Sequence, residues 1–300
     1  MKGGAPPMRY HPHDEFADPA RPRAEPWRTA LGMILIYVAH IGLVLFCFTL
    51  LAGVIGEDRA QSAFDGIFFS SQTTAESLLL LGSFSFLILA VSLVTMQLHG
   101  RAPSSLTGPP RLALAHFLWV LRALAILFAV LWFLPMDVDL NRNLTPGRWL
   151  LLLPLSVTVL LIQATAEEML FRGYLQQQLA ARFRAPAIWM GLPSAIFAWG
   201  HFSVDQAGQN AGFAALWAGL FALAAADLTA RTGTIGAAVA LHFANNAGAI
   251  LLVSLRGPVS GLSLYTYPFG IDAPQVLPFL IVDLGVLLVS WLAARLALQV

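Results

Sequence analysis

Two adjacent glutamates, Glu167 and Glu168, stand near the end of a long apolar run, and Arg172 follows four positions after the second. At 3.6 residues per helical turn, Glu168 and Arg172 share a face, in the acid-before-base order that favours an ion pair. Glu167 is rotated by about 100° from its neighbour and can face a different cavity. Farther on, Phe197-Ala-Trp-Gly-His201 sets an aromatic ring and an imidazole one turn apart, and His242-Phe-Ala-Asn-Asn246 does the same for an imidazole and a carboxamide. Asn245 faces elsewhere and is expected to be structural. Each set alone has an ordinary reading: a helix-end charge cluster, a packing histidine, a hydrogen bond between helices. Together they offer a reaction. Glutamate with histidine can activate a water, and histidine with asparagine can donate to a developing oxyanion. A second chemistry uses the same groups: Glu167, His201 and His242 supply the ligand types of a His₂Glu zinc set with water in the fourth position. No His-Glu-x-x-His occurs in the chain, and a carboxamide is a poor zinc ligand but a good oxyanion donor. A metal-free reading with no cofactor is therefore favoured, with zinc as the alternative.

The elements that must position these groups are membrane helices. Of the 300 residues 58% are hydrophobic and only 11% charged, against about a quarter charged in a soluble domain. A crossing of about 30 Å of hydrocarbon needs about 20 apolar residues. Such runs occur near 30–55, 77–98, 112–136, 149–170, 186–204, 211–229, 235–255 and 275–298, predicting an all-α polytopic bundle of about eight spans. The fifth and sixth are short and rich in glycine and alanine. If the fifth helix starts near Pro193, a residue suited to a first turn, His201 lies about 12 Å along its axis, at a depth to meet Glu167 and His242. Trp27 and Trp149 open apolar runs as interfacial anchors.

The organisation read from these patterns is a disordered cytoplasmic tail over 1–27, rich in proline and mixed charge, and N-terminal transmembrane helices over 28–147. A catalytic helical core over 148–256 and a loop with a last transmembrane helix over 257–300 follow. The tail lacks the apolar core of a signal peptide. With the tail inside, twelve of the 17 basic residues fall on the cytoplasmic side and four on the other, which predicts both termini in the cytoplasm. A net charge of +1 excludes the basic face that a nucleic-acid partner requires, and Cys47, the only cysteine, excludes an intramolecular disulfide.

An ionisable group at the bilayer centre costs about 2.5–3.5 kcal/mol, so each one asks for a partner or a task. Arg122 is expected to pair with Asp283 or Asp227. His40 and His116 read as packing or interfacial residues, Tyr265-Thr-Tyr267-Pro-Phe269 as an aromatic belt, and Asp205-Gln-Ala-Gly208-Gln-Asn as a connector.

Glu167-Glu168-x-x-x-Arg172, Phe197-x-x-x-His201 and His242-x-x-x-Asn246 resemble, in order, the three signature motifs of the CPBP family, also called Abi. That family comprises type II CAAX prenyl endopeptidases and bacterial relatives linked to bacteriocin processing or self-immunity. The words Glu-Glu-Met-Leu-Phe-Arg-Gly-Tyr-Leu and Arg-Thr-Gly-Thr-Ile-Gly-Ala-Ala are similar to it too, and the resemblance runs from about 150 to 250. It implies an intramembrane endopeptidase that cuts membrane-associated peptides or lipidated proteins. Glu167 would be the base, His201 would help hold the water, His242 and Asn246 would form the oxyanion hole, and Glu168 with Arg172 would orient the site. A non-catalytic immunity or transport protein is the competing function. A single lysine among many Ala, Leu and Arg points to a GC-rich bacterial source and hence to the inner membrane.

Overall fold

The computed structural model describes residues 10–133 and 138–300, and these are almost entirely helical. A short helix, α1 (His11–Ala17), and a 3-10 segment ending at Arg23 precede the first long helix, α2 (Pro26–Ile55), which opens on proline, where a missing N–H costs nothing. A polar helix, α3 (Glu57–Asp65), follows. Next, α4 (Thr74–His99) starts on a reciprocal cap. The Thr73 hydroxyl accepts from the Glu76 N–H, and the Glu76 carboxylate accepts from the Thr73 N–H at 2.9 Å. It stops at Gly100, whose φ of +65° is the left-handed conformation that ends helices. Prolines also open α5 (Pro110–Leu131) and α6 (Pro146–Glu168), the latter capped by Thr145. From α6 the chain passes through a π-helical stretch, Met169–Gln176, into α7 (Gln177–Arg182). Then come α8 (Pro186–Trp189), α9 (Gly191–Gly200), α10 (Val204–Ala207), α11 (Ala211–Thr232), α12 (Gly236–Asn246) with a π-helical continuation to Leu252, and α13 (Leu277–Leu298).

Among the described residues, six helical stretches are long and apolar enough to cross a bilayer: Pro26–Ile55, Thr74–His99, Pro103–Leu131, Pro146–Arg182, Val204–Thr232 and Pro274–Leu298. Gly236–Leu252 is a shorter apolar helix. The all-α membrane bundle is therefore as expected, while eight full-length spans are not found. The difference lies mainly in the run 186–204, which breaks at Met190 into α8 and α9. Ten residues at 1.5 Å each reach about 15 Å, half of the hydrocarbon thickness. Helix α9 begins at Gly191, close to the expected Pro193, and His201 lies just past its end.

The outer faces are apolar, with Val54, Leu151 and Leu296 at least 80% exposed, as lipid-facing side chains are. Inside, one cluster joins α2, α4 and the π-helical stretch through Ile36, Val91 and Tyr174. A second joins α5, α9, α11, α12 and α13 through Leu124, Phe197, Phe221, Leu241 and Ala294. Small residues let these backbones approach closely. At Gly236, a Cβ would fall on the carbonyl oxygen of Ala113, so α12 meets α5 backbone to backbone.

A three-stranded sheet of two-residue strands, β1 (Asn141–Arg142), β2 (Val253–Ser254) and β3 (Tyr265–Thr266), has β3 in the centre, antiparallel to β1 and parallel to β2. Helix α6 starts beside β1 and its continuation α7 packs on α1, so the sheet and α1 lie at opposite ends of that long helix. Pro12 and Phe16 line a hollow together with Leu298 and Val300, which puts α1 and the end of α13 at the same end of the bundle.

The disordered tail expected over 1–27 needs correction for the segment Tyr10–Arg23. There His13, Phe16, Ala17 and Ala20 are buried, and Gln177 Nε2 donates to the Phe16 carbonyl at 2.5 Å. Proline-rich composition hid an apolar stripe that docks on α7. Residues 1–9, and 134–136 of the expected third span, lie outside the described residues.

Candidate active site

Helices α6 and α12 run antiparallel past each other, which brings the first and third motifs face to face. Glu168 is wholly buried and has two partners. Its Oε2 lies 3.0 Å from Arg172 Nε, one turn on, and its Oε1 lies 2.8 Å from His242 Nδ1. Arg172, 1% exposed, also donates through Nη2 to the carbonyl of Ala222 on α11 at 3.1 Å and lies over the Phe197 ring at 5.4 Å. The ion pair expected from the i, i+4 spacing is present, and it reaches a third helix as well.

Glu167 is arranged differently. Its side chain keeps 15% of its surface, and its Oε2 stands 3.7 Å from the other nitrogen of the same imidazole, His242 Nε2. His242 thus bridges the two adjacent glutamates, one committed and one partly open. Among the described residues Glu167 makes no hydrogen bond, and its ion-pair contact is the one with His242.

The second motif joins through aromatic rings. Phe197 stacks on His201 at 4.4 Å between centroids and stands edge-on to His242 at 6.5 Å. Phe221 of α11 packs on His242 at 5.0 Å. His201 is exposed, and its Nδ1 lies 2.8 Å from the Phe197 carbonyl. A neutral ring that donates Nδ1–H to that oxygen presents Nε2 as an acceptor. Among the described residues, no hydrogen bond or ion pair joins His201 to Glu167. One ring, Phe197, touches both imidazoles. Beside His201, Ala195, Ala198, Trp199, Phe202 and Ala215 line a small apolar hollow of about 290 Å³.

Asn246 stands one turn beyond His242, and its Nδ2 donates to Gln163 Oε1 at 3.0 Å. Asn245 Nδ2 donates at 3.4 Å to Asn246 Oδ1 and so supports its neighbour, in keeping with a structural role. Gln163, Phe221 and the Ala222 carbonyl belong to this site and were not singled out in the sequence. Gln163 alone left a signal, as a carboxamide in an apolar run four residues before Glu167.

Among the described residues, no three His, Cys, Asp or Glu side chains gather as metal ligands, and Glu167, His201 and His242 are no exception.

The remaining ionisable groups resolve into structural roles. The expected partner of Arg122 is not there: Asp227 is held by Arg231 at 2.8 Å, Trp291 Nε1 at 3.0 Å and Tyr10 Oη at 3.1 Å. An acid one turn before a base on the same helix outcompetes an arginine on another. Arg122 is exposed and forms an ion pair with neither Asp227 nor Asp283. His116 Nδ1 lies 2.8 Å from the Thr234 hydroxyl. Tyr267 stacks with Phe269 beside Phe279, and the connector after His201 is pinned by Asn210, whose Nδ2 donates to the carbonyls of Ile271 and Ala273.

Residues 148–248 match a family model described as Type II CAAX prenyl endopeptidase Rce1-like, and this stretch contains every motif residue described above. No curated protein and no solved structure matches the chain.

Proposed function

Given that the chain belongs to the CPBP (Abi) family through residues 148–248, we propose that it is an intramembrane endopeptidase using Glu167 as its base. One observation carries this reading: of two neighbouring glutamates, Glu168 is spent on Arg172 and His242, whereas Glu167 is partly open and has no hydrogen bond. Glu167 takes a proton from water as the oxygen attacks the scissile carbonyl carbon. His201 Nε2 accepts the other water hydrogen and orients the nucleophile. The C=O π electrons move onto oxygen, where Asn246 Nδ2–H and His242 Nε2–H donate to the oxyanion. With Nδ1–H facing Glu168 Oε1 at 2.8 Å, His242 donates to the oxyanion through Nε2–H in the form in which the ring carries both hydrogens. Collapse breaks the C–N bond, and Glu167 passes its proton to the leaving amine.

The substrate is a membrane-associated peptide or a lipidated protein, and the membrane is the bacterial inner membrane with both termini on the cytoplasmic side. The test compares wild-type protein with Glu167→Gln and His201→Ala on a quenched fluorescent peptide carrying a farnesylated cysteine. N-terminal peptide profiling of membranes from matched cells runs in parallel. Both substitutions are expected to lower turnover by at least about 10² with normal accumulation. Wild-type rates from Glu167→Gln would end the assignment. Activity surviving exhaustive chelation, with no zinc by elemental analysis, is expected, and loss that zinc restores would establish the metal alternative instead.

A further inference from the structure

The antiparallel packing of α6 and α12 creates two rungs, because each helix carries polar groups four residues apart on one face. Glu167 faces His242 across the first rung, and Gln163 faces Asn246 across the second. Gln163 is 7% exposed. Its Oε1 accepts one of the two hydrogens on Asn246 Nδ2, while Asn245 donates to Asn246 Oδ1 from the other side. A carboxamide has ends of nearly equal size, so shape alone does not stop it from turning by 180°. The consequence of a turn is chemical. A turned Asn246 would set its oxygen against Gln163 Oε1, and would show that same acceptor to a developing oxyanion.

We propose that Gln163 is a positioning residue that holds the Asn246 carboxamide nitrogen-inward, leaving its second Nδ2 hydrogen to donate to the substrate oxyanion. The proposal rests on the reading of Asn246 as an oxyanion donor. Gln163 touches no reacting atom and acts only through Asn246. Since the oxyanion exists only on the way through the transition state, loss of this hold lowers kcat and leaves KM unchanged.

The experiment uses the full chain in detergent micelles with the farnesylated fluorescent peptide. Loss of a whole oxyanion donor costs about 10²–10³ in turnover, so loss of its orientation should cost about 10- to 100-fold. Gln163→Met, matched in length but without the acceptor, is expected to show that fall in kcat with KM within about twofold of wild type. In an Asn246→Ala background the same substitution should change nothing further. Gln163→Asn, which keeps an amide but is one methylene too short to reach, should follow the same pattern and serves if the Met variant does not fold. Wild-type turnover in either folded variant, a change confined to KM, or losses that multiply in the double variant would each overturn the proposal. If the wild-type protein itself leaves peptide and membrane proteins uncut, the failure belongs to the peptidase reading. If Glu167→Gln is inactive but Gln163→Met is not, the failure belongs to Gln163 alone.

Discussion

Glu168 and Arg172 illustrate how the same spacing yields either a surface ornament or a buried necessity. The pair is sealed, with side-chain exposures of 0% and 2%, so neither charge can fall back on water when its partner is removed. Breaking a buried pair from one side costs about 3–5 kcal/mol, whereas replacing both members by neutral groups of similar size can be close to neutral. Arg172→Met is therefore expected to lower the melting temperature in detergent sharply. The double variant Glu168→Gln/Arg172→Met should recover most of that loss without recovering cleavage, because His242 then lacks its carboxylate. Equal melting of the single and double variants would show that the pair is not the source of the loss. The i, i+4 pattern made this ion pair legible beforehand. The bond from Glu168 to His242 was not legible, since 74 residues separate them.

At the scale of elements, α1 decides more than its seven residues suggest. His13 is 2% exposed, packs on Trp189 at 4.5 Å and meets Gln176 Nε2 at 3.3 Å. Gln176 Nε2 also donates to the Ala226 carbonyl, which holds the amide so that its N–H side faces the imidazole. A protonated ring would meet a donor, not an acceptor, and burial pushes the His13 imidazole down from 6.5 to about 4. The folded form thus binds fewer protons than the unfolded form between those values. Docking is fully stable above pH 6.5 and weakens as pH falls towards 4, by about 3 kcal/mol at most. Limited proteolysis of the Tyr10–Arg23 segment should therefore accelerate across that window and be flat in His13→Leu. The same acceleration in His13→Leu would place the titrating group elsewhere. Composition misled the sequence reading here: prolines and mixed charges suggest disorder, but four buried side chains suffice to dock a short helix on a ready surface.

For the whole molecule, the sheet and α1 mark opposite ends of the bundle, and α1 shares its end with the last turn of α13. Most of the arginines gather near the α1 end, so that end is expected to face the cytoplasm. Single cysteines placed in a Cys47→Ser background test this. In inverted membrane vesicles Ser104→Cys should react with an impermeant maleimide and Asn141→Cys should not, and in intact spheroplasts the reverse. The opposite pattern would invert the topology.

Membrane residence, helical class and the three polar motifs were readable from the chain alone, because composition sums over all residues and a helix repeats every 3.6 of them. That is a local rule, so it shows which side chains share a face of one helix. Contacts between helices depend on crossing angle, register and the depth at which a short helix such as α9 stops, and no local period encodes those. The period of one helix already set Glu168 with Arg172 and turned Glu167 elsewhere, but only the folded bundle placed His242 between the two carboxylates. It also set Gln163 opposite Asn246, and it brought Phe197 against both His201 and His242.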